Sequence, residues 1–327
     1  MIGGVGITSS AFFILPFLIR SAVLLIPVVS WFNRHYMKKI FLLFLPLSTI
    51  QAQAQIGSEI YLFSLKVKNN QPIVSAPVNI THHKGYDNQP FFHPKKSVIY
   101  FSSFNDSGRS DIKYYHIKKA RTTHLTFTHE REYSPTLTPD GKFISCIIQR
   151  DDGSQDLGKY PLQGGKPQVL INTLKVGYHV WVDDHSLLLF VLGDSNRNTL
   201  HLYNLLTKED NIIADNPGRS LHQIPGANAI SFVHKISKEE WLIKRYNRVT
   251  KEISTIAPTL PGREDIAWLT KEILMSSDGS RLFYFDINTN KGWQLVPIEN
   301  SNLPIRGITR LAINAKNTKL AVVVSEQ

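Results

Sequence analysis

The chain has 327 residues, with 37 lysines and arginines against 26 aspartates and glutamates. Its one cysteine, Cys146, excludes an intrachain disulfide framework, and its place in the apolar run FISCII favours a small buried side chain over a reactive thiol. The basic residues are scattered, and the longest cluster is IKKAR at 117–121, which disfavours nucleic-acid binding. An acidic protein surface or an anionic glycan is compatible with the surplus positive charge.

Two apolar segments lie near the N-terminus. Residues 11–32 are long enough to span a bilayer. Residues 37–54 have the three parts of a secretory signal peptide, namely MKK, the apolar stretch IFLLFLPLSTI and the small-residue cleavage site in QAQAQ. We expect cleavage after Ala54.

The expected organisation therefore has three parts. Residues 1–36 form an upstream extension or a membrane segment, residues 37–54 a signal peptide, and residues 55–327 one folded domain. The domain is expected in the periplasm or outside the cell, as a monomer. It is attached to a membrane only if residues 11–32 are retained.

The segment YSPTLTPDGKFI at 133–144 is one copy of a repeat that runs through the folded domain. An apolar or aromatic residue recurs every 43 to 45 residues along the chain. A period near 44 is typical of the four-stranded blades of a β-propeller. The recurring residues are Phe92, Leu137, Trp181, Ile224, Trp268 and Ile313.

Each repeat divides into four short strands bounded by Gly, Asp, Asn and Ser clusters, which indicates antiparallel hairpins. The complete units are 86–128, 130–174, 176–218, 219–262 and 263–303. Two strands remain in 58–81 and two in 305–327. The sequence thus predicts an all-β, six-bladed propeller whose last blade takes its outer strands from the N-terminal part and its inner strands from the C-terminal part.

The repeat motif resembles that of the TolB-like six-bladed propellers, a WD-repeat-like family. The main motif is PTLTPDGKFI at 135–144, and a decayed copy is PFFHPKK at 90–96. A second family element, an Asp-Ile-Tyr strand, corresponds to Glu59-Ile60-Tyr61, Asp111-Ile112-Lys113-Tyr114 and Asp156-Leu157. Only Gln55 to Gly57 separate the expected cleavage site from the first strand, so the separate N-terminal α/β domain of TolB itself is not expected.

Several residues with possible chemistry have a structural explanation. The oxygen-rich segments NDSGRSD and RDDGSQD occupy the same turn of two repeats and lack the length and final Glu of an EF-hand, so turns are favoured over calcium sites. His179 and His222 share one repeat position and are the weak candidates for a channel metal, but two histidines fall short of a ligand set. The tryptophans Trp181, Trp241, Trp268 and Trp293 are expected to pack between blades.

The remaining candidates lie where each innermost strand begins, at the expected channel mouth. Arginine, tyrosine and histidine are common there, as in protein interaction surfaces. These candidate partner-binding residues are Asn88, Tyr133, Tyr178, Arg219, His222, Arg263, Glu264, Asp265, Arg306 and Arg310.

No nucleophile elbow, HExxH motif or phosphate loop occurs in the sequence. The favoured function is therefore that of an exported, non-enzymatic propeller, without a cofactor, that binds a protein or glycan through one face. One alternative is a propeller lyase or hydrolase with a metal in the channel. The other is a membrane-tethered sensor domain.

Overall fold

A computed structural model describes residues 57–289, 291–300 and 305–326. The expected upstream extension and signal peptide lie outside these residues. In the part that is described, no helix is long and apolar enough to cross a membrane. The helical structure there is a single 3-10 turn, Asp194–Asn196.

The described chain is built of short β-strands. The first two are β1 (Ser58–Lys68) and β2 (Gln71–Asn79). Blade 1 consists of β3 (Asp87–Phe92), β4 (Val98–Phe104), β5 (Ser110–His116) and β6 (Arg121–His124). Blade 2 consists of β7 (Arg131–Leu137), β8 (Phe143–Gln149), β9 (Gln155–Pro161) and β10 (Gln168–Ile171).

The following three blades have the same order. Blade 3 consists of β11 (Val176–Trp181), β12 (Ser186–Val191), β13 (Thr199–Asn204) and β14 (Asp210–Asp215). Blade 4 consists of β15 (Pro217–Gln223), β16 (Ala229–Lys235), β17 (Trp241–Asn247) and β18 (Ile253–Pro258). Blade 5 consists of β19 (Ile266–Trp268), β20 (Ile273–Ser277), β21 (Leu282–Asp286) and β22 (Gln294–Leu295).

Blade 6 joins the two ends of the described chain. Its remaining strands are β23 (Ile298–Glu299), β24 (Arg310–Ile313) and β25 (Lys319–Ser325), and its strand order is β24-β25-β1-β2-β23. β25 pairs with β1 from Ser58↔Ser325 to Ser64↔Lys319. The predicted six-bladed ring, with a last blade made from both terminal parts, is therefore confirmed.

The second strand of each blade explains why the repeat is so apolar. The runs FISCIIQ in β8 and KLAVVVS in β25 are buried at every position except their ends. A blade packs against a neighbour on both faces, so its second strand shows a continuous apolar run instead of an alternating one. Cys146 lies in β8, fully buried, as its surroundings predicted.

Hydrophobic contacts close the ring between all neighbouring blades. Each of six apolar clusters in the described residues contains side chains from two adjacent blades. The cluster between blades 6 and 1 includes Ile60, Phe92 and Val323, and therefore joins both terminal strand pairs to the first complete blade. Burial of apolar area is the main force holding the blades together.

Blade 5 has the four strands predicted for residues 263–303, and the same residues supply one further strand to blade 6. Its outermost strand, β22, has only two residues, and the next two-residue strand pairs instead with blade 6. There, Val74 and Ser75 of β2 lie parallel to Ile298 and Glu299. The short β23 covers the outer edge of blade 6, which would otherwise expose unpaired backbone groups.

Candidate functional site

A cavity of about 630 Å³ lies along the propeller axis, with its walls built from the innermost strands of all six blades. We call the face at which these strands begin the upper face, and the opposite one the lower face. Because the strands of a blade alternate in direction, the turns between second and third strands also lie on the upper face. The cavity extends down to turn residues such as Pro139 and Pro225 on the lower side.

Four side chains from four blades meet at the upper end of this cavity. Asp265 accepts hydrogen bonds from Arg219, Nη2 to Oδ2 at 2.6 Å and Nε to Oδ1 at 3.2 Å. Arg310 Nη1 donates to the same Oδ1, and Arg310 Nη2 lies 3.2 Å from the hydroxyl of Tyr178. We name Tyr178, Arg219, Asp265 and Arg310 the channel cluster. It links blades 3, 4, 5 and 6.

The neighbouring arginines keep Asp265 ionised. The side chain of Asp265 is 20% exposed. Burial alone would raise its pKa, but the charges of Arg310 and Arg219 outweigh burial and lower the pKa below the ordinary aspartate value. Glu264 lies beside the cluster and accepts a bond from Lys235 Nζ at 2.9 Å.

Blades 1 and 2 form an uncharged wall opposite the cluster. Gln89 and Ser134, at equivalent repeat positions, have φ angles of 58° and 56°, a left-handed backbone that is uncommon for these residue types. Each stands at a bulge in the innermost strand. Gln89 Oε1 accepts bonds from Ser134 N at 2.8 Å and Ser102 Oγ at 2.9 Å, so the two blades are joined through a neutral amide.

The two channel histidines are held by hydroxyl groups. His179 Nε2 lies 2.8 Å from Ser145 Oγ, and His222 Nε2 lies 2.8 Å from Ser220 Oγ. Burial lowers the pKa of His179 to about 3 and that of His222 to about 4, so both rings are neutral at pH 7. Among the residues that the structure describes, no group of three or more His, Cys, Asp or Glu side chains could hold a metal ion.

Trp181 and Trp268 pack between blades as expected, and Trp241 and Trp293 pack against the apolar cluster between blades 4 and 5. Trp181 and Trp268 are buried, and each indole donates to a serine of the preceding blade, Ser145 at 2.9 Å and Ser231 at 2.7 Å. Trp293 stacks edge-on against Phe285.

The structure places the ten predicted rim residues in three environments. Arg263 and Arg306 are exposed on the upper face, and Asn88 is buried near blade 6, its amide 3.4 Å from Ser58 Oγ. Tyr133 is half-buried and packs against Tyr86. The remaining six are half-buried at the upper end of the channel wall: Tyr178, Arg219, His222, Glu264, Asp265 and Arg310.

A second group of arginines surrounds an aspartate on the upper face of blades 1 and 2. Asp151 accepts a bidentate pair of bonds from Arg109 at 2.8 and 3.0 Å, and a further bond from Arg131 at 3.0 Å. We name these three residues the rim cluster. Its aspartate is 69% exposed, and its pKa is lowered to about 2 by hydrogen bonds from both arginines.

Sequence inspection missed two buried acids near the beginning of innermost strands. Glu132 is fully buried and accepts bonds from Tyr160 at 2.8 Å and from Thr128 at 2.6 Å. Asp87 is 1% exposed, and neither carboxylate oxygen has a hydrogen-bond partner in the described residues. Burial raises the pKa of both groups, that of Asp87 to about 7. Both lie in sequence segments that resemble the beginning of any strand, so the repeat spacing did not indicate that they are buried acids.

The oxygen-rich segments form turns. Asn105 Oδ1 accepts the backbone N–H groups of Ser107 and Arg109 at 3.0 and 3.1 Å, and Asp152 Oδ1 accepts that of Ser154 at 2.8 Å. These side-chain oxygens therefore stabilise the turns between the second and third strands of blades 1 and 2.

Comparison with solved structures shows the same architecture. A structure described as a TolB from Agrobacterium tumefaciens matches 84% of this chain and 100% of its own, at 12% identity and a TM-score of 0.62. The TolB structure from Acinetobacter baumannii matches 83% of this chain, at 13% identity and a TM-score of 0.51. This chain spans 64% of the latter's length.

At these identities the similarity concerns the fold. No protein-family model matches the sequence, and no curated protein does. The chain has the TolB-like six-bladed propeller fold, as the repeat motif indicated.

Proposed function

We propose that this chain is an exported, non-enzymatic propeller that binds an acidic segment of a protein partner on its upper face. The observation that carries the proposal is a group of exposed arginines between blades 5 and 6. Arg263 lies against Gly279, and Ile308 N donates to Gly279 O at 2.8 Å, so the segments carrying Arg263 and Arg306 are neighbours. Arg281 stands in the same turn as Gly279, 64% exposed.

The arrangement suits a carboxylate-rich partner. Arg281 is paired with Asp278 at 2.7 Å, whereas Arg263 and Arg306 make no ion pair within the described residues. Exposed guanidinium groups can bind carboxylates in a bidentate way, and arginine is enriched at the energetic centres of protein interfaces. We name Arg263, Arg281 and Arg306 the basic patch.

A photo-crosslinker tests where a partner binds. Placed at position 263, it should capture a protein from a periplasmic extract, whereas placed at the exposed position 121, outside the patch, it should not. The affinity of that purified partner should then fall at least about tenfold, about 1.4 kcal/mol, in the Arg263→Ala/Arg306→Ala variant. An equal loss of affinity in an Arg121→Ala/Arg245→Ala control would contradict binding at the basic patch. Capture of a glycan alone would favour a carbohydrate partner.

Export is a separate part of the proposal. It is supported by the signal-peptide pattern in residues 37–54 and by the TolB-like fold. Intact-mass measurement of the protein recovered from the periplasm should give a chain that begins at Gln55. A mature chain that still contains Trp31 would favour the membrane-tethered alternative.

A further inference from the structure

The channel cluster and the charged side chains beside it, Lys235 and Glu264, together carry an excess of positive charge at the upper end of the cavity. Arg219 and Arg310 share the carboxylate of Asp265, and Arg219 Nε also lies 3.5 Å from Glu264 Oε1. Glu264 is further bound by Lys235 at 2.9 Å and by the backbone N–H of Arg219 at 3.0 Å. Three cationic side chains thus face two carboxylates. In a sheltered channel this excess charge is screened less than it would be on the surface.

Hydrogen-bond donors also remain on both arginines. Within the described residues, Arg219 Nη1 and Arg310 Nε donate to no protein acceptor, although the other guanidinium nitrogens do. Both side chains line the cavity, and both contact the same oxygen of Asp265. Two guanidinium groups from two blades therefore converge on one oxygen and each keeps a free N–H group, and such donors can bind a carboxylate.

The rest of the cavity is suited to an apolar body. The residues that line it include Phe91, Leu221, Ile266 and Leu311. A volume of about 630 Å³ lies within the range of sites that enclose a small organic ligand. His179 and His222, both neutral at pH 7, add no charge to this wall.

We propose that the channel binds a small organic anion, in which one carboxylate is joined to an apolar or aromatic body. Arg219 and Arg310 hold the carboxylate, Asp265 holds the two guanidinium groups in place, and the apolar wall encloses the body. This site is distinct from the basic patch, so either proposal can fail without the other.

Benzoate is the probe for this site, and benzamide is its neutral counterpart of equal shape. In calorimetric titrations of the purified full chain, benzoate should bind at least about tenfold more tightly than benzamide, because charge-assisted bonds to arginine are lost with the amide. Raising the salt concentration should weaken benzoate binding only modestly, because the site is sheltered.

Asp265→Asn is the decisive variant, since it removes the internal competitor for both guanidinium groups. We expect its affinity for benzoate to increase at least about fivefold, and a gain cannot result from unfolding. Arg310→Gln should lower the affinity about tenfold, with retained folding checked by circular dichroism. Asp151→Asn is the matched control, because it also releases two arginines, but at the exposed rim, and it should leave the affinity unchanged.

The contradicting outcomes are equally specific. Equal affinities for benzoate and benzamide would show that the cluster does not select a carboxylate. An unchanged or weakened affinity in Asp265→Asn, or the same gain in Asp151→Asn, would refute the role of the channel cluster. If an acidic peptide binds and benzoate does not, the proposal of a small-molecule site is wrong, and the channel binds a polypeptide instead.

Discussion

The channel cluster and the rim cluster share one arrangement of charged groups in different surroundings. In both, two arginines from different blades bond one aspartate, at 2.6 to 3.2 Å for Arg219–Asp265 and 2.8 to 3.0 Å for Arg109–Asp151. The aspartate of the channel cluster is 20% exposed, and that of the rim cluster is 69% exposed. The two clusters therefore differ in solvent exposure and not in their arginine–aspartate bonding.

This difference decides what each cluster can do. At the rim, water competes for the same hydrogen bonds and salt screens the charges, so such pairs contribute little to stability or binding. In the channel, the same charges act on one another more strongly, and an uncompensated guanidinium attracts an anion more effectively. Of the two clusters, the channel cluster is the one whose free guanidinium N–H groups lie beside a cavity.

The largest expected effect comes from removing the strands that complete the ring. Deleting residues 308–327 removes β24, β25 and Arg310, and leaves β1 without its partner from Ser58 to Ser64. We expect loss of cooperative unfolding in the whole domain, including blades 1 and 2, which hold the rim cluster. A urea denaturation curve with an unchanged midpoint would contradict closure by the two terminal parts.

A buried acid without a guanidinium partner should behave in the opposite way to Asp265. The folded-state pKa of Asp87 lies near 7, above its ordinary value of 3.8, so protonation favours the folded state. The free energy of unfolding should therefore fall as the pH rises from about 4 to about 7, by on the order of 4 kcal/mol. Asp87→Asn should reduce this slope, whereas the exposed Asp106→Asn should preserve it. An unchanged slope in Asp87→Asn would contradict the assignment.

Truncating the two cluster aspartates compares the clusters directly. Asp265→Ala leaves Arg310 without a carboxylate and Arg219 with Glu264 alone, and should lower the free energy of unfolding by about 3 kcal/mol at pH 7. Asp151→Ala should produce no change that urea denaturation can resolve, because its arginines remain in water. Similar losses in the two variants would show that shelter does not distinguish the clusters.

The smallest expected effect is the salt dependence of the ion pairs. Double-mutant cycles for Arg219 with Asp265 and for Arg109 with Asp151 give the coupling free energy of each pair. Between about 0.05 and about 0.5 M NaCl, the rim coupling should vanish while most of the channel coupling persists. A channel coupling that vanishes equally would indicate a water-filled, screened site.

The sequence predicted the ring better than it predicted the site. The repeat spacing selects six residues that all lie at, or directly after, the lower ends of the innermost strands, because each blade must repeat the same turn and apolar run: Phe92, Leu137, Trp181, Ile224, Trp268 and Ile313. Counting strands also predicted that the N-terminal and C-terminal strands together form the sixth blade. The two-residue β23 was not predicted, since its pairing with β2 depends on the path of the connection after blade 5.

For the channel cluster, the sequence indicated the four residues but not the hydrogen bonds between them. Tyr178, Arg219, Asp265 and Arg310 were all predicted at the channel mouth, as parts of an open partner surface. Their hydrogen bonds join positions 45 and 46 residues apart, and Arg310 reaches 132 residues back to Tyr178. Such contacts depend on blade geometry and side-chain length, which no local pattern in a single sequence records.

The site also lies where the repeat motif is weakest. The Pro-Asp-Gly motif is well preserved in blade 2, and the corresponding channel wall of blades 1 and 2 is neutral around Gln89 and Ser134. From residue 176 onward only the period remains, and this part of the chain supplies the charged side of the channel. Departure from the repeat therefore coincides with the charged side of the channel.

The most direct test of the channel as a ligand site is a crystal structure of the full chain with 4-bromobenzoate. We expect an anomalous bromine peak inside the channel, among the apolar side chains, with the carboxylate bonded to Arg219 and Arg310. In Asp265→Asn crystals the same peak should appear at a lower ligand concentration. A bromine peak confined to the outer surface of the blades, with an empty channel at saturating ligand, would contradict the account.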